Sequence, residues 1–594
     1  MNFLLATSLY LLAANVINCS ITTQYYQRLI KQGITEALRY KLPTSNNEFK
    51  QGVESNNIEE YGEFDFVIVG AGSAGSVLAT RLSEIDDFSI LLLEAGGEED
   101  DFSQIPALWS FNQFSEKNWG YYSTPQKQSC LGMNNRQCSV PRGKLLGGTS
   151  SINTLMYSRG NCRDYDKWSQ LGNCRWSCKD VLPYFKKSEN CQIRGDENYH
   201  GKRGFWNCRL KQPIVDYNGK NQMGASHRQS NIKHGKRQSL ATAFLDNSRQ
   251  RSNLKVLTKT LVTKVVIDSQ SKQAKGVEFV TRNKKFHVRA TKEVILSAGA
   301  VNTPQLLMLS GVGPKDQLSK LEIPLITDLP VGKNLIEHPT LILMVRSDYN
   351  APKVGPNKLI QQYLNGCGTL TQAGNMDGVG YIRTKNDSKE VPTIEILFSV
   401  PPHIDVSILQ REFNYNKDIN NNLLNKINPQ TDIFFYIVLL HPKSRGQIFL
   451  KSSCPIDFPN IDLNMFAEQE DVETLIEGVE YVQNLLNTDA FKKINATLLE
   501  VPICTNFKMG SKEYLECLIR NLAGTLYHPS GTAAMGPNNG KFVVSDTLQV
   551  HGIRNLRVID TSIFPSSISG HLNAPTVMVA EKAADLIKQE HKHL

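Results

Sequence analysis

An α/β fold with a second, α+β domain is predicted by three stretches of this 594-residue sequence. Residues 64–97 encode a strand, a glycine turn, a helix and a second strand. Residues 335–540 alternate strand-like runs with long polar loops, and residues 556–588 add a further strand and helix. The first and third stretches make a parallel, Rossmann-like domain whose last elements come from the far end of the chain. The middle stretch reads as an antiparallel sheet with helices on one face.

In the opening unit Phe66, Val67, Ile68 and Val69 form an apolar, β-branched run suited to a strand covered on both faces. Gly70-Ala71-Gly72-Ser73-Ala74-Gly75 follows without a spacer. Val77, Leu78 and Leu82 then recur at helical spacing, and residues 90–93 make a second buried strand ending on Glu94. Gly70 makes the tight turn, Gly72 lets backbone approach a pyrophosphate, and Gly75 lets helix and strand pack closely. The phosphates sit at the positive end of the helix, and Glu94, nineteen residues after Gly75, is placed to accept from a ribose diol. This frame specifies a dinucleotide site and leaves flavin and nicotinamide equally open.

A formal charge of +9 spread over this length does not point to nucleic acid. The cluster His227, Arg228, Lys233, His234, Lys236 and Arg237 has no aromatic interleaving and reads as a solvated face. Residues 3–14 are apolar, too short to span a bilayer, and followed by polar residues. That is the pattern of a secretory signal peptide (residues 1–20), with a signal anchor as the alternative. No other run of about twenty apolar residues predicts a membrane span. Twelve cysteines agree with an oxidising compartment, and their spacing gives no zinc pattern and predicts no metal site. Asn386 and Asn495 head glycosylation sequons.

In chain order, residues 21–63 are a polar arm with an amphipathic stretch near 25–38, expected to pack on the first domain. Residues 64–334 follow as that domain. Within them, 98–140 are irregular and rich in aromatics, and 141–160 hold a glycine-serine loop with Gly147, Thr149 and Asn153. Such a loop lies against a flat polar ring system or simply turns the chain. Residues 161–255 carry a cysteine cluster and segments belonging to the second domain. Residues 256–257, 261–267 and 276–280 read as a small antiparallel sheet. A buried strand at 294–299 runs into a helix that Thr303 caps, Pro304 begins and Gly311 stops. In the second domain, 341–345, 394–398 and 433–440 are strands, 410–428 a mobile loop, and 468–486 a helix. Residues 541–594 return to the first domain, with Pro575 at the first position of a closing helix.

His528, in a glycine-rich loop, and His571, before the last helix, stand apart. Each imidazole can take an alcohol proton near neutral pH, and each can equally be a satisfied structural histidine. Around them the chain resembles the glucose-methanol-choline (GMC) oxidoreductases, the flavoenzyme family of glucose oxidase, choline dehydrogenase and aryl-alcohol oxidase. Residues 143–157 resemble the family's first signature, 299–313 its second, and 528–536 read His-Pro-Ser-Gly-Thr-Ala-Ala-Met-Gly. The resemblance runs from 64 to 587 and looks like the secreted animal branch that includes glucose dehydrogenase and salicyl-alcohol oxidase.

The resemblance implies FAD, with the 70–75 turn on the pyrophosphate and Glu94 on the adenosine ribose. It places Thr149, Asn153, Thr154 and Met156, with Gly147, along the flavin, Val262 on the adenine side, and Asp560 and Leu572 as late contacts. It makes His528 the catalytic base and His571 the second catalytic position. The implied reaction oxidises a CH–OH group by hydride transfer to flavin N5 and passes electrons to oxygen or a quinone. Ile152 stands where covalently flavinylated relatives have histidine, so the flavin is expected to be noncovalent. A hydroxynitrile-lyase-type protein without net redox chemistry and a noncatalytic secreted defence homologue are the alternatives.

Overall fold

A computed structural model describes residues 2–192, 196–208, 215–384, 391–401 and 407–591, with backbone alone for 2–20 and 377. The residues of the expected leader lie in that backbone-only segment, and the Asn386 sequon lies outside the described residues.

The run Phe66 to Val69 forms the end of the strand Ile58–Val69 and is at most 5% exposed. It pairs in parallel with Ile90–Leu93 on one side and with the end of Lys284–Leu296 on the other. Leu254–Leu257 extends the sheet in parallel beyond Ile90–Leu93, and Leu556–Val558 lies parallel beside residues 294–296. The apolar side chains of residues 66–69, 90–93, 294–296 and 556–558 are buried from both faces, as a covered parallel sheet requires, while Val256 and Leu257 at the edge are half-buried. The hairpin Thr260–Asp268 and Gln273–Thr281 is not a separate small sheet, as expected from sequence. The 13-residue strand Lys284–Leu296 is long enough to pair antiparallel with the hairpin in its first half and to join the parallel core in its second. Leu254–Leu257 belongs to the parallel part.

On this sheet the helix Ser73–Leu82 packs against the closing helix Asn573–Glu590. Arg81 Nε and Nη2 bind Glu581 at 2.9 and 2.8 Å, a buried bidentate pair that locks the two helices together. Pro575 falls at the third position of the closing helix, still within the turn whose amides have no intrahelical acceptor. The helix Gly299–Leu309 begins earlier than expected, so Thr303 and Pro304 lie inside it. The Ala300 carbonyl that proline leaves without a helical donor accepts from Thr532 Oγ1 at 2.8 Å, which removes the penalty.

The second sheet runs Thr497–Leu498, Pro339–Arg346, Ile433–Leu439, Ile394–Ser399, Met376–Ile382 and Gly224–His227, all antiparallel. Gln469–Leu486 packs on it through Val472, Leu475, Val479 and Val482. The expected mobile loop at 410–428 is instead helical over Ser407–Glu412 and Lys417–Asn422, with Phe413, Tyr415, Ile419 and Leu423 buried. Its asparagines misled because they cap and turn: Asn416 accepts the Ile419 amide at 3.0 Å. The first part of the arm belongs to a helix, Asn2–Arg39, and its last residues begin the strand Ile58–Val69; from the helix, Tyr26 and Ala37 bury with Phe102, Ile105 and Phe111 and with Ile360 and Tyr363. Disulfides join Cys130 to Cys138, Cys162 to Cys178 and Cys504 to Cys517.

Candidate active site

The ends of the parallel strands and the second sheet enclose one long cleft. At its first end the chain turns at Gly70, whose φ of +95° excludes most side chains. A Cβ on Gly75 would lie 1.9 Å from the Gly70 carbonyl oxygen, so this glycine serves packing and does not face the cleft. Gly72, Ser73 and Ala74 do face it, at the start of the Ser73–Leu82 helix. Glu94 is 6% exposed and accepts the amides of Ala71 and Gly96, each at 2.9 Å. Burial pushes its carboxyl up to about 7 against those hydrogen bonds. Val262 lines the same end.

The glycine-serine loop docks directly on this turn. Gly147, at φ +81°, donates its amide to the Ala71 carbonyl at 2.8 Å, and a Cβ on Gly148 would come within 2.7 Å of Gly72 Cα. Gly147 therefore positions the loop, while Thr149, Asn153, Thr154 and Met156 line the cleft. Asn153 Oδ1 accepts from Arg237 Nη1 at 2.9 Å and from the Leu155 amide at 3.0 Å. Arg237 and Arg228 are 3% and 7% exposed, so the basic cluster is not a solvated face throughout. Their guanidinium groups donate to main-chain carbonyls, those of Ser103 and Ser150 for Arg237 and of Thr154 and Ala373 for Arg228. Lys233 and His234 are exposed as expected.

Asp560 closes the far wall. Its carboxylate accepts from Gly299 N, Thr303 Oγ1 and both donors of Ser562, so it ties two strand ends together while lining the cleft. Leu572 lines it one residue before the closing helix, whose positive end faces the cleft. Asn573 meets Ser73 Oγ at 2.6 Å, bringing the end of the chain onto the glycine turn.

At the other end His528 and His571 stand edge to face, ring centroids 4.7 Å apart. Burial, His571, His338 and Arg142 hold the His528 imidazole well below its ordinary pKa. Its amide donates to Glu337 Oε1 at 2.7 Å, and its Nδ1 lies 3.0 Å from His338 Nδ1. His571 Nε2 is 3.3 Å from Glu395 Oε2 without hydrogen-bond alignment, and Glu395 Oε1 accepts from Tyr381 at 2.7 Å. Glu337, His338, Glu395 and Arg142 were not read from the sequence. The one available signal was Glu337-His338 immediately before a buried strand, where polar side chains are retained only with partners. Further along the cleft Glu412 lies among Phe413, Tyr436 and Tyr527. Burial pushes its carboxyl up to about 8, with Tyr527 opposing.

A second group, Glu189, Cys191 and His200, gathers metal-ligand types away from the cleft. It is complete as an ion network. His200 binds Glu189 and Asp216 at 2.9 and 2.8 Å, and Arg159 binds Glu189 at 2.5 Å. Although burial opposes it, the partners of His200 raise its pKa to about 11, and a protonated imidazole is no ligand.

The donor set of the cleft fits a dinucleotide, with the glycine turn and helix start toward one end and the glycine-serine loop and the histidines toward the other. Gly70, Gly75 and Gly148, where a Cβ would strike main-chain atoms, a buried carboxyl beside the turn and a helix start all sit at one end. The chain matches the GMC oxidoreductase family models over residues 64–340 and 442–580. It is 37% identical to the glucose dehydrogenase [FAD, quinone] of Drosophila melanogaster, covering 89% of this chain and 87% of that one. It is 34% identical to the ecdysone oxidase of Bombyx mori, covering 90% and 83%. Pyridoxine 4-oxidase from Mesorbium loti superposes with a TM-score of 0.75 at 26% identity, over 89% of this chain and 100% of that one. Formate oxidase superposes at 0.78, also at 26% identity, over 90% and 99%. The chain belongs to the GMC oxidoreductase family and is an FAD-dependent oxidoreductase of alcohol-type donors.

Proposed function

We propose that this chain is a secreted enzyme that oxidises a hydroxylated ring alcohol to the carbonyl, with His528 as base and a quinone or oxygen as electron acceptor. FAD, when bound, supplies the acceptor for the hydride of the carbinol carbon. Gly72, Ser73 and Ala74 would hold its pyrophosphate, Glu94 its ribose, and Thr149, Asn153, Thr154 and Met156 its ring system. Val262, Asp560 and Leu572 complete the cofactor walls. Ile152, buried beside Asn153, offers no nucleophile, which supports noncovalent binding.

The single observation that carries the reading is the histidine pair at the reactive end of the cleft. An imidazole held neutral by burial is a proton acceptor, and His571 beside it can bind the same hydroxyl oxygen. Aromatic walls from Trp109, Phe413 and Tyr436, with the carboxyl of Glu412 among them, suit a ring alcohol carrying further hydroxyls. The relatives named for glucose and for ecdysone both fit that description. Three disulfides and the apolar leader pattern support secretion.

Anaerobic addition of a panel of sugars, sterols, aromatic alcohols and choline to the purified holoenzyme tests the reading. Bleaching of the flavin by a ring alcohol is the expected result. A flavin that stays oxidised with every alcohol overturns it. Peroxide yield set against dye reduction assigns the acceptor, and acid precipitation releases the flavin if it is noncovalent.

A further inference from the structure

The hydrogen bonds behind His528 form a chain whose direction is fixed from one end. Ser567 Oγ lies 2.5 Å from the carbonyl oxygen of Leu440, which can only accept, so the hydroxyl proton is used there. The same oxygen lies 2.8 Å from His338 Nε2 and can therefore only accept from it. His338 carries its proton on Nε2. The ring is 1% exposed, and burial, with His441 and His571 nearby, lowers its pKa to about 3, so it is neutral and its Nδ1 is a bare acceptor. That atom is 3.0 Å from His528 Nδ1, which must donate. The proton assignment follows from the network.

We propose that His338 is a positioning residue: with Ser567 and the Leu440 carbonyl it fixes the tautomer of His528, proton on Nδ1 and lone pair on Nε2. This rests on the alcohol oxidation proposed above. Which imidazole nitrogen is basic is decided by the hydrogen bond the other one makes. Here the cleft-lining ring has its Nδ1 engaged, and Nε2 has no protein partner among the described residues. As the substrate O–H bond breaks, its proton bonds to Nε2. The C–H electron pair leaves with the hydride to the FAD. The resulting imidazolium keeps its Nδ1–H on neutral His338, which shares the charge without taking the proton.

The other groups facing the ring do not perform this task. Arg142 is a cation paired electrostatically with Glu337, whose Oε1 takes the His528 main-chain amide and not the ring. His571, backed by Glu395, meets the ring edge to face. Glu412 lies along the cleft beyond Tyr527, whose hydroxyl is 3.3 Å from the Glu412 carbonyl. His441 stands behind His338 and bonds Ser569 at 2.8 Å.

The test compares His338→Leu, His338→Asn and Ser567→Ala as holoenzymes. Asn places Oδ1 where the imidazole has Nδ1 and restores an acceptor, while Leu does not. Expected is a fall in the flavin reduction rate on the order of 100-fold for His338→Leu, with substrate affinity little changed. His338→Asn recovers most of it. Ser567→Ala loses less, and its combination with His338→Leu loses no more than His338→Leu alone, because the chain acts as one unit. A readout independent of turnover is carbethoxylation of the peptide carrying His528 in the cofactor-free protein, followed by mass spectrometry. It slows several-fold in His338→Leu when the lone pair leaves Nε2.

The proposal is overturned if His338→Leu keeps FAD and its thermal midpoint, reduces flavin at the parental rate and is carbethoxylated as before. Equal losses in the Leu and Asn variants overturn it too, since they mean the ring is needed for packing and not for its acceptor. Should His338→Leu fail to fold, His338→Asn against Ser567→Ala still decides. If the parental enzyme bleaches with no alcohol, the proposed reaction fails, and the carbethoxylation contrast stands or falls separately.

Discussion

The two ends of the cleft are built in opposite ways. The cofactor end comes mainly from one local unit: strand, turn, helix and strand are consecutive, and its glycines pack so that a Cβ on Gly75 or Gly148 would strike the main chain of Gly70 or Gly72. The reactive end takes His338, Glu395, His528 and His571 from four separated places, each set by a different strand end or loop. Backbone groups can be specified by where side chains are missing. Side-chain chemistry must be specified by the whole fold.

That contrast predicts that Gly70, Gly75 and Gly148 at the cofactor end tolerate no added atoms. Gly75→Val places carbon within 1.9 Å or less of a fixed carbonyl, so it costs more than about 4 kcal/mol and yields no FAD-loaded protein. Purification with normal flavin absorbance breaks the comparison. At the reactive end, removal of atoms is what matters. His528→Ala lowers the flavin reduction rate about a thousandfold and leaves FAD bound, because the ring touches none of the glycine cradle. Rapid-mixing absorbance reads the rate, and loss of FAD would show that the ends are not separable.

A smaller effect sharpens the boundary. Glu94→Gln weakens FAD binding about 10-fold to 100-fold and leaves the reduction rate of saturated enzyme unchanged. The pH dependence follows from the raised carboxyl. Ribose hydroxyls prefer the carboxylate, so FAD affinity falls as pH drops through about 7 in the parental protein and is flat in the variant. Fluorescence titration of the cofactor-free protein measures both. The smallest effect is expected at Glu412, which is neutral below about 8 and charged above. KM for a ring alcohol carrying further hydroxyls should fall two- to threefold as pH rises through that value, roughly half a kcal/mol, because the carboxylate is the stronger acceptor, and the dependence is lost in Glu412→Gln.

The same contrast explains what could be read in the sequence. Residues 66–94 were legible because each requirement is met by the next residue along. Thr303 and Pro304 looked like a helix start, and the true start at Gly299 was hidden because the compensating donor, Thr532, lies in another part of the chain. Arg237 looked solvated because the main-chain carbonyls that accept from it leave no trace in composition. The 410–428 segment looked mobile because asparagine caps a short helix as readily as it loosens a loop. Glu395 carries no local pattern and His338 only its place beside Glu337 ahead of a buried strand, and the fold alone brings them to the histidines.

Ser73 and Asn573 touch, yet they are separated by 500 positions. During synthesis the glycine turn therefore leaves the ribosome long before the helix that completes it, and Arg81 waits as long for Glu581. A nascent chain can form the parallel strands early but cannot close the pyrophosphate end until translation has passed residue 581. The order of synthesis therefore leaves Ser73 and Arg81 without these partners until the last helix emerges.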